Sequence, residues 1–280
     1  MIPGPATAPV VCPAFLGEFR LTVDAFTTAA GEGRYTIHPV SRGPWDANSL
    51  HARVLAGLFG HEVETRFGSE EFHCARLTID LYRLPTLAPC EVTCKPVRDG
   101  NRIRVIELEY LSEGLSYARG TAVLLKRTEN PTGRVWSPPD WDVKRPDEVP
   151  PSVQSGVANW APMWDMRPLS SRDPGQAARG QVWMREIRPL VEGVELTPFV
   201  RAASAADWAN PGANWGSNGL EFINADITLY LHRYPRGEWM GFETSSHHSA
   251  DGIAVGQSTM YDEDGAIGSS TVCAIAQRRR

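Results

Sequence analysis

A nine-residue segment of this chain has an echo of itself further on. Leu77-Thr78-Ile79-Asp80-Leu81-Tyr82-Arg83-Leu84-Pro85 returns 150 positions later as Ile227-Thr228-Leu229-Tyr230-Leu231-His232-Arg233-Tyr234-Pro235, with Thr, Leu, Arg and Pro at matching places. Each copy alternates as a strand with one buried face does, and each ends at a proline, which has no N–H to give to a ladder. Two related β-rich units in tandem are therefore expected. A cleft between two such halves is a natural place for a site, and only one half need carry chemistry.

A chain of 280 residues can hold two domains of ordinary size, and 42% hydrophobic with 22% charged residues is the balance of a soluble globular protein. A net charge of −5 and a pI near 5.8 supply no basic field for nucleic acid, and the closing Arg278-Arg279-Arg280 reads as a solvated tail. No stretch of about eighteen apolar residues suggests a membrane span, and Met1-Ile2-Pro3-Gly4-Pro5 lacks the flanks of a signal peptide, so a cytoplasmic protein is expected. The cysteines Cys12, Cys74, Cys90, Cys94 and Cys273 are odd in number and lack zinc-finger spacing. They read as small buried thiols in a reducing compartment, with no metal site.

Each repeat sits in the same local order. In the first half Gly33–Pro39 reads as extended, Ser49 is placed to cap a helix, and Leu50, Val54, Leu55, Leu58, Phe59 and Val63 form one apolar stripe. Strands follow near Phe72–Tyr82, Glu91–Val97, Arg102–Leu111 and Tyr117–Lys126, with a turn at Arg98-Asp99-Gly100-Asn101. In the second half, extended stretches near Met163–Leu169 and Gln181–Ile187 precede Thr197-Pro198, a cap with proline at the first helical position, and a helix to about Trp208. Strands then read at Phe222–His232, Trp239–Ser245, Ile253–Tyr261 and Ala266–Ala276, with a turn at Asp262-Glu263-Asp264-Gly265. Between the halves, Arg127–Asn159 is rich in proline and carries Trp136 and Trp141, so it is expected to pack along a domain surface.

Several segments carry a family likeness: Gln181-Val182-Trp183-Met184-Arg185, Ala206-Asp207, Phe222-Ile223-Asn224-Ala225-Asp226 through His232-Arg233-Tyr234-Pro235, and Tyr261-Asp262, Gly265 and Ser270-Thr271-Val272. The first half agrees at Thr78–Arg83 and Arg98-Asp99-Gly100, while Leu50-His51-Ala52 stands where relatives often show His-Gly-Gly. In these features the chain resembles the thioesterase II type of acyl-CoA thioesterase. The resemblance covers almost the whole chain and implies an α+β fold, a tandem or double hotdog, each half a long antiparallel sheet wrapped around one central helix. It divides the chain into a first hotdog domain over 1–127, a linker over 128–159 and a second hotdog domain over 160–280. It further implies a cofactor-free enzyme whose partner is an acyl-CoA or related acyl thioester, working as a homodimer.

Asp207 is the first candidate for chemistry. Ala203 and Phe199 lie four and eight positions before it, so this carboxylate falls on the apolar face of its helix, near the C-terminus. Desolvation and the helix dipole there both disfavour its charge, which suits a proton acceptor. On the residues alone it serves equally as a helix-ending Asp bonded to backbone in the Asp207–Gly212 turn. In the resembling family an Asp on this helix acts with a Thr or Ser and a Gln to deprotonate a water that attacks the thioester. Carried over by position, Asp207 matches the Asp, Asn224 stands in the Thr/Ser place and Cys273 in the Gln place. Asn224 can orient a water or polarise a carbonyl, or sit as a polar residue on the outer strand face; Cys273 offers only a weak hydrogen-bonding group, or a core filler beside Ile275.

Other chemistries fit less well. No basic partner in its own segment activates Cys273 as a nucleophile, and the adjacent His247 and His248 point to opposite faces of a strand and cannot chelate together. His51 is either a cleft-facing residue of the His-Gly-Gly position or a plain helix-start residue. No G-x-S-x-G, P-loop or G-x-G-x-x-G occurs, and Asp207-Trp208-Ala209-Asn210-Pro211 only approaches the D-x-N-P-x-H of hotdog hydratases. Two functions from different classes follow: hydrolysis of an acyl thioester by an Asp-activated water, or a degenerate hotdog that binds acyl-CoA without turnover.

Overall fold

The repeated segments turn out to be hydrogen-bonded to each other. A computed structural model describes residues 24–152, 163–170 and 179–277; Cys12, the two termini, and residues 153–159 of the expected linker lie outside them. The first half runs β1 (Thr27–Gly31), β2 (Arg34–Ile37), α1 (Ala52–Phe67), β3 (Phe72–Leu81), β4 (Cys90–Asp99), β5 (Ile103–Ser112) and β6 (Leu115–Lys126). The second runs β7 (Trp164–Pro168), β8 (Gln181–Glu186), α2 (Pro198–Ala205) and α3 (Ala209–Asn214), then the small hairpin β9 (Trp215–Gly216) and β10 (Gly219–Leu220). It finishes with β11 (Phe222–Asn224), β12 (Asp226–Leu231), β13 (Trp239–Ala250), β14 (Ile253–Asp262) and β15 (Gly265–Ala276). One sheet takes the order β1-β2-β4-β5-β6-β3-β12-β15-β14-β13-β8-β7, so β3 and β12, the two repeats, form the seam between halves. Thr78 faces Thr228 there, with Leu77 opposite Leu229 and Ile79 opposite Ile227. Thr78 and Thr228 are also the matching residues of the repeat, so a local two-fold axis passes between them.

The α+β double hotdog expected from the sequence is the observed fold: each half places its helix on one face of an antiparallel sheet. The stripe Leu50, Val54, Leu55, Leu58, Phe59 and Val63 is buried throughout, and Phe59 lies against Gly120 of β6, where a side chain would collide with its ring. The two helices then pack on one another. Gly57 and Gly60 of α1 admit Ser204 and Ala203 of α2; a Cβ on Gly60 would lie 2.8 Å from that of Ala203. Their antiparallel alignment brings the start of α1 beside the end of α2.

Three local readings change. The cap of α1 is His51, because Ser49 spends its hydroxyl on the Asp46 carbonyl three residues back, in the turn that precedes the helix. The second helix does not stop at Trp208: it tightens over Ala206–Trp208 and resumes as α3, since Pro211 falls in the first turn of α3, where its missing N–H costs nothing. In the inter-half segment Trp141 stacks on Tyr261 at 4.2 Å and fits against Gly241, as expected of a packed linker, whereas Trp136 is 84% exposed.

Candidate active site

Thr197 opens α2 by accepting a hydrogen bond from the Val200 amide, and Phe199, Val200, Ala202 and Ala203 turn inward. One turn beyond Ala203, Asp207 inherits the same face and is 6% exposed. Asn224 reaches it from the sheet. A regular strand would put Asn224 and Asp226 on one side, but Ala225 interrupts the ladder between β11 and β12, so Asn224 joins Ile227, Leu229 and Leu231 in the interior. Its Nδ2 donates to Asp207 Oδ1 at 3.1 Å.

The third arm comes from the other half. His51 Nδ1 lies 3.2 Å from Asp207 Oδ2, and 3.3 Å from the Arg53 amide. One nitrogen cannot both donate to a carboxylate and accept from an amide. In the tautomer with the proton on Nδ1 it donates to Asp207 Oδ2, and in the other it accepts from the Arg53 amide as the cap of α1. Trp164 stands edge-on to both His51 and Trp208, walling the pair from solvent. The site thus straddles the two halves.

Arg53 lies just inside. It is 1% exposed, pairs with Glu186, and its guanidinium sits 4.1 Å from the Trp164 ring centroid, while its Nε and Nη1 have no hydrogen-bond partner. Burial works against its charge, and the Asp207 carboxylate works for it. With Phe26, Leu190, Leu196 and Ser204 it lines a narrow crevice along α2.

Cys273 does not join this group. Val272 and Ala274 face the interior, so strand alternation turns Cys273 outward, where it is exposed and bonded to neither Asp207 nor Asn224. Its amide donates to Asp226, and partial desolvation with the Asp226 carboxylate holds its thiol up at about 11, so it is no thiolate near neutrality. The core-filler reading is corrected with it: Ile275, on the same side, is 58% exposed. Cys74 and Cys90 are buried as expected. Among the described residues no group of three or more His, Cys, Asp or Glu side chains could hold a metal ion.

Sequence reasoning missed Asn210, Asn214 and the role of His247. Asn210 and Asn214 stand one turn apart on α3, which was the only signal, and His247 reaches them from β13.

The acyl-CoA thioesterase C-terminal domain matches residues 128–272 and its N-terminal counterpart residues 41–125. The chain belongs to the acyl-CoA thioesterase family. No curated protein sequence matches it. Among solved structures, this thioesterase-family chain is similar to a putative thioesterase from Novosphingobium aromaticivorans (17% identity, 91% of this chain and 100% of that one, TM-score 0.70). It is also similar to a hot dog fold protein of unknown function from Alicyclobacillus acidocaldarius (15%, 91% and 96%, 0.71) and to the acyl-CoA thioesterase II TesB2 of Mycobacterium marinum (15%, 90% and 96%, 0.63). At such identities the likeness establishes a shared fold. No helix among the described residues is long and apolar enough to cross a membrane.

Proposed function

We propose that the protein hydrolyses acyl-CoA or a related acyl thioester, with Asp207 as the general base. The observation that carries this reading is a buried carboxylate held by two side chains, Asn224 on Oδ1 and His51 on Oδ2, at the contact between the halves. Each oxygen keeps a further lone pair, so a water can donate to it. The water oxygen attacks the thioester carbonyl as Asp207 takes its proton, the tetrahedral intermediate expels the thiolate as the C–S bond breaks, and the proton is passed to sulfur. Assaying a panel of acyl-CoAs with wild type and Asp207→Ala tests the proposal: turnover in the wild type and its loss in the variant are expected, and equal rates would remove Asp207 from the mechanism.

A specific observation favours a second reading, acyl-thioester binding without turnover. Cys273, at the position where the resembling family has its Gln, faces outward, and Asn224 has its amide oxygen engaged by Asn210. Tight binding of acyl-CoA by the wild type with no hydrolysis of any panel member would establish that reading instead.

A further inference from the structure

We propose that His247 is a positioning residue for Asp207, acting through three buried amides. The inference rests on Asp207 being the base. Asn224, Asn210 and Asn214 are 8%, 2% and 4% exposed, and they connect Asp207 to the molecular surface in one line. An ionised carboxylate only accepts hydrogen bonds, so Asn224 must turn Nδ2 toward Asp207, which points its Oδ1 at Asn210 Nδ2, 3.2 Å away. Asn210 then offers Oδ1 to Asn214 Nδ2 at 2.8 Å, and Asn214 offers Oδ1 to His247 Nδ1 at 2.8 Å. His247 must carry a proton on Nδ1; its Nε2 lies 3.3 Å from the Ser249 hydroxyl.

No link in this line reverses alone. Turning one amide would set oxygen against oxygen on one side and nitrogen against nitrogen on the other, in a buried setting where unpaired polar groups are costly and aligned ones reinforce each other. The proton on His247 and the charge on Asp207 therefore select the same orientation from opposite ends. Amides do not pass protons readily, so the line orients and does not relay. Attachment of α3 to the sheet is already secured elsewhere: Thr244 donates to the Gly212 carbonyl at 2.7 Å, and Ala213 sits on Gly256, where a Cβ would lie 2.5 Å away. What His247 adds is a hold on direction at the outer end of the line, beside the one the Phe222 carbonyl gives by accepting from Asn210 Nδ2 at 3.2 Å.

The test reverses that direction. His247→Asn keeps a donor near the place of Nδ1, whereas His247→Asp presents only acceptors to Asn214. On the proposal the Asn variant retains kcat within about threefold, while the Asp variant loses about tenfold or more in kcat with KM within about twofold. Equal kcat in both would overturn it. Thermal unfolding of wild type, His247→Asp, Asp207→Asn and the double variant supplies a readout that needs no turnover. With an amide at 207 only the Phe222 carbonyl, which accepts from Asn210 Nδ2 at 3.2 Å, still opposes reversal of the line, so the cost of His247→Asp shrinks; additive costs would overturn the proposal. Should the wild type hydrolyse no thioester, the base assignment fails, while the cycle alone decides the network. If His247→Asp does not fold, His247→Phe replaces it in both arms, with a smaller fall in kcat expected and an unchanged kcat counting against the proposal.

Discussion

Each half of the molecule buries one acid on its helix, and the two are held in opposite ways. Glu62 on α1 accepts from the Tyr35 hydroxyl on one oxygen and from Arg66 Nε at 2.6 Å on the other, so a cation cancels its charge directly. Burial and then Glu62 push the Tyr35 phenol far above its ordinary range. Asp207 has an amide and an imidazole in those places, and Arg53 supports it from further off while bonded to Glu186. A duplicated scaffold can therefore set one buried acid directly against a guanidinium and hold the other with an amide and an imidazole. The difference lies in the partners, since both acids are equally out of solvent.

The sharpest way to break this comparison is to remove each acid. Asp207→Ala should cost hydrolysis about 10²–10⁴-fold in kcat with the fold intact, whereas Glu62→Gln should leave kcat near wild type and lower stability by about 1–3 kcal/mol. Urea unfolding beside acyl-CoA assays reads both, and an active Asp207→Ala would end the distinction. Next in size, Arg53→Met takes its guanidinium from Glu186, which keeps the Trp164 N–H at 3.0 Å, and breaking a buried pair costs about 3–5 kcal/mol. A smaller effect tests the helix contact between halves. Gly60→Ala gains about 1 kcal/mol of helix propensity but forces Ala203 away, an overpacking cost of about 1–3 kcal/mol, so a net loss in urea midpoint is expected.

Acidification should act more gently. Burial lowers His61, His73 and His232 below the ordinary imidazole value, so the unfolded chain binds more protons than the folded one near pH 6.5 and beneath. Stability therefore rises with pH in this window: it is fully present above the unfolded value of about 6.5 and falls as pH drops from there through the folded values. Melting temperatures between pH 7.5 and 5.5 should show the decline, and His61→Asn should flatten it. Smallest of all, Cys273→Ser should change stability by no more than about 0.5 kcal/mol and leave hydrolysis alone, because the side chain is exposed and outside the site.

Much of the scaffold was legible in the chain. The repeat at Thr78 and Thr228 announced the duplication, and the helix-spaced series Phe199, Ala203, Asp207 turned the acid inward. The strand positions near Asp207 were harder. Cys273 sits between Val272 and Ala274, and with Ile275 and Ile253 exposed on the other side, both faces of that sheet carry apolar residues. Alternation then has no preferred parity, and a one-residue shift exchanges inside for outside. Asn224 shows the converse, since the break at Ala225 resets the alternation where sequence alone reads one continuous strand.

Periodicity acts over a few residues, so the chain by itself determined the two-fold architecture, the buried helix stripes and the inward acid. Which side chains meet that acid depends on distances in space between residues far apart along the chain. His51 and Asp207 come together only because two glycines let α1 and α2 cross closely, and His247 finds Asn214 only because β13 runs past α3. Those encounters are fixed by packing of whole elements, whose register no local pattern encodes.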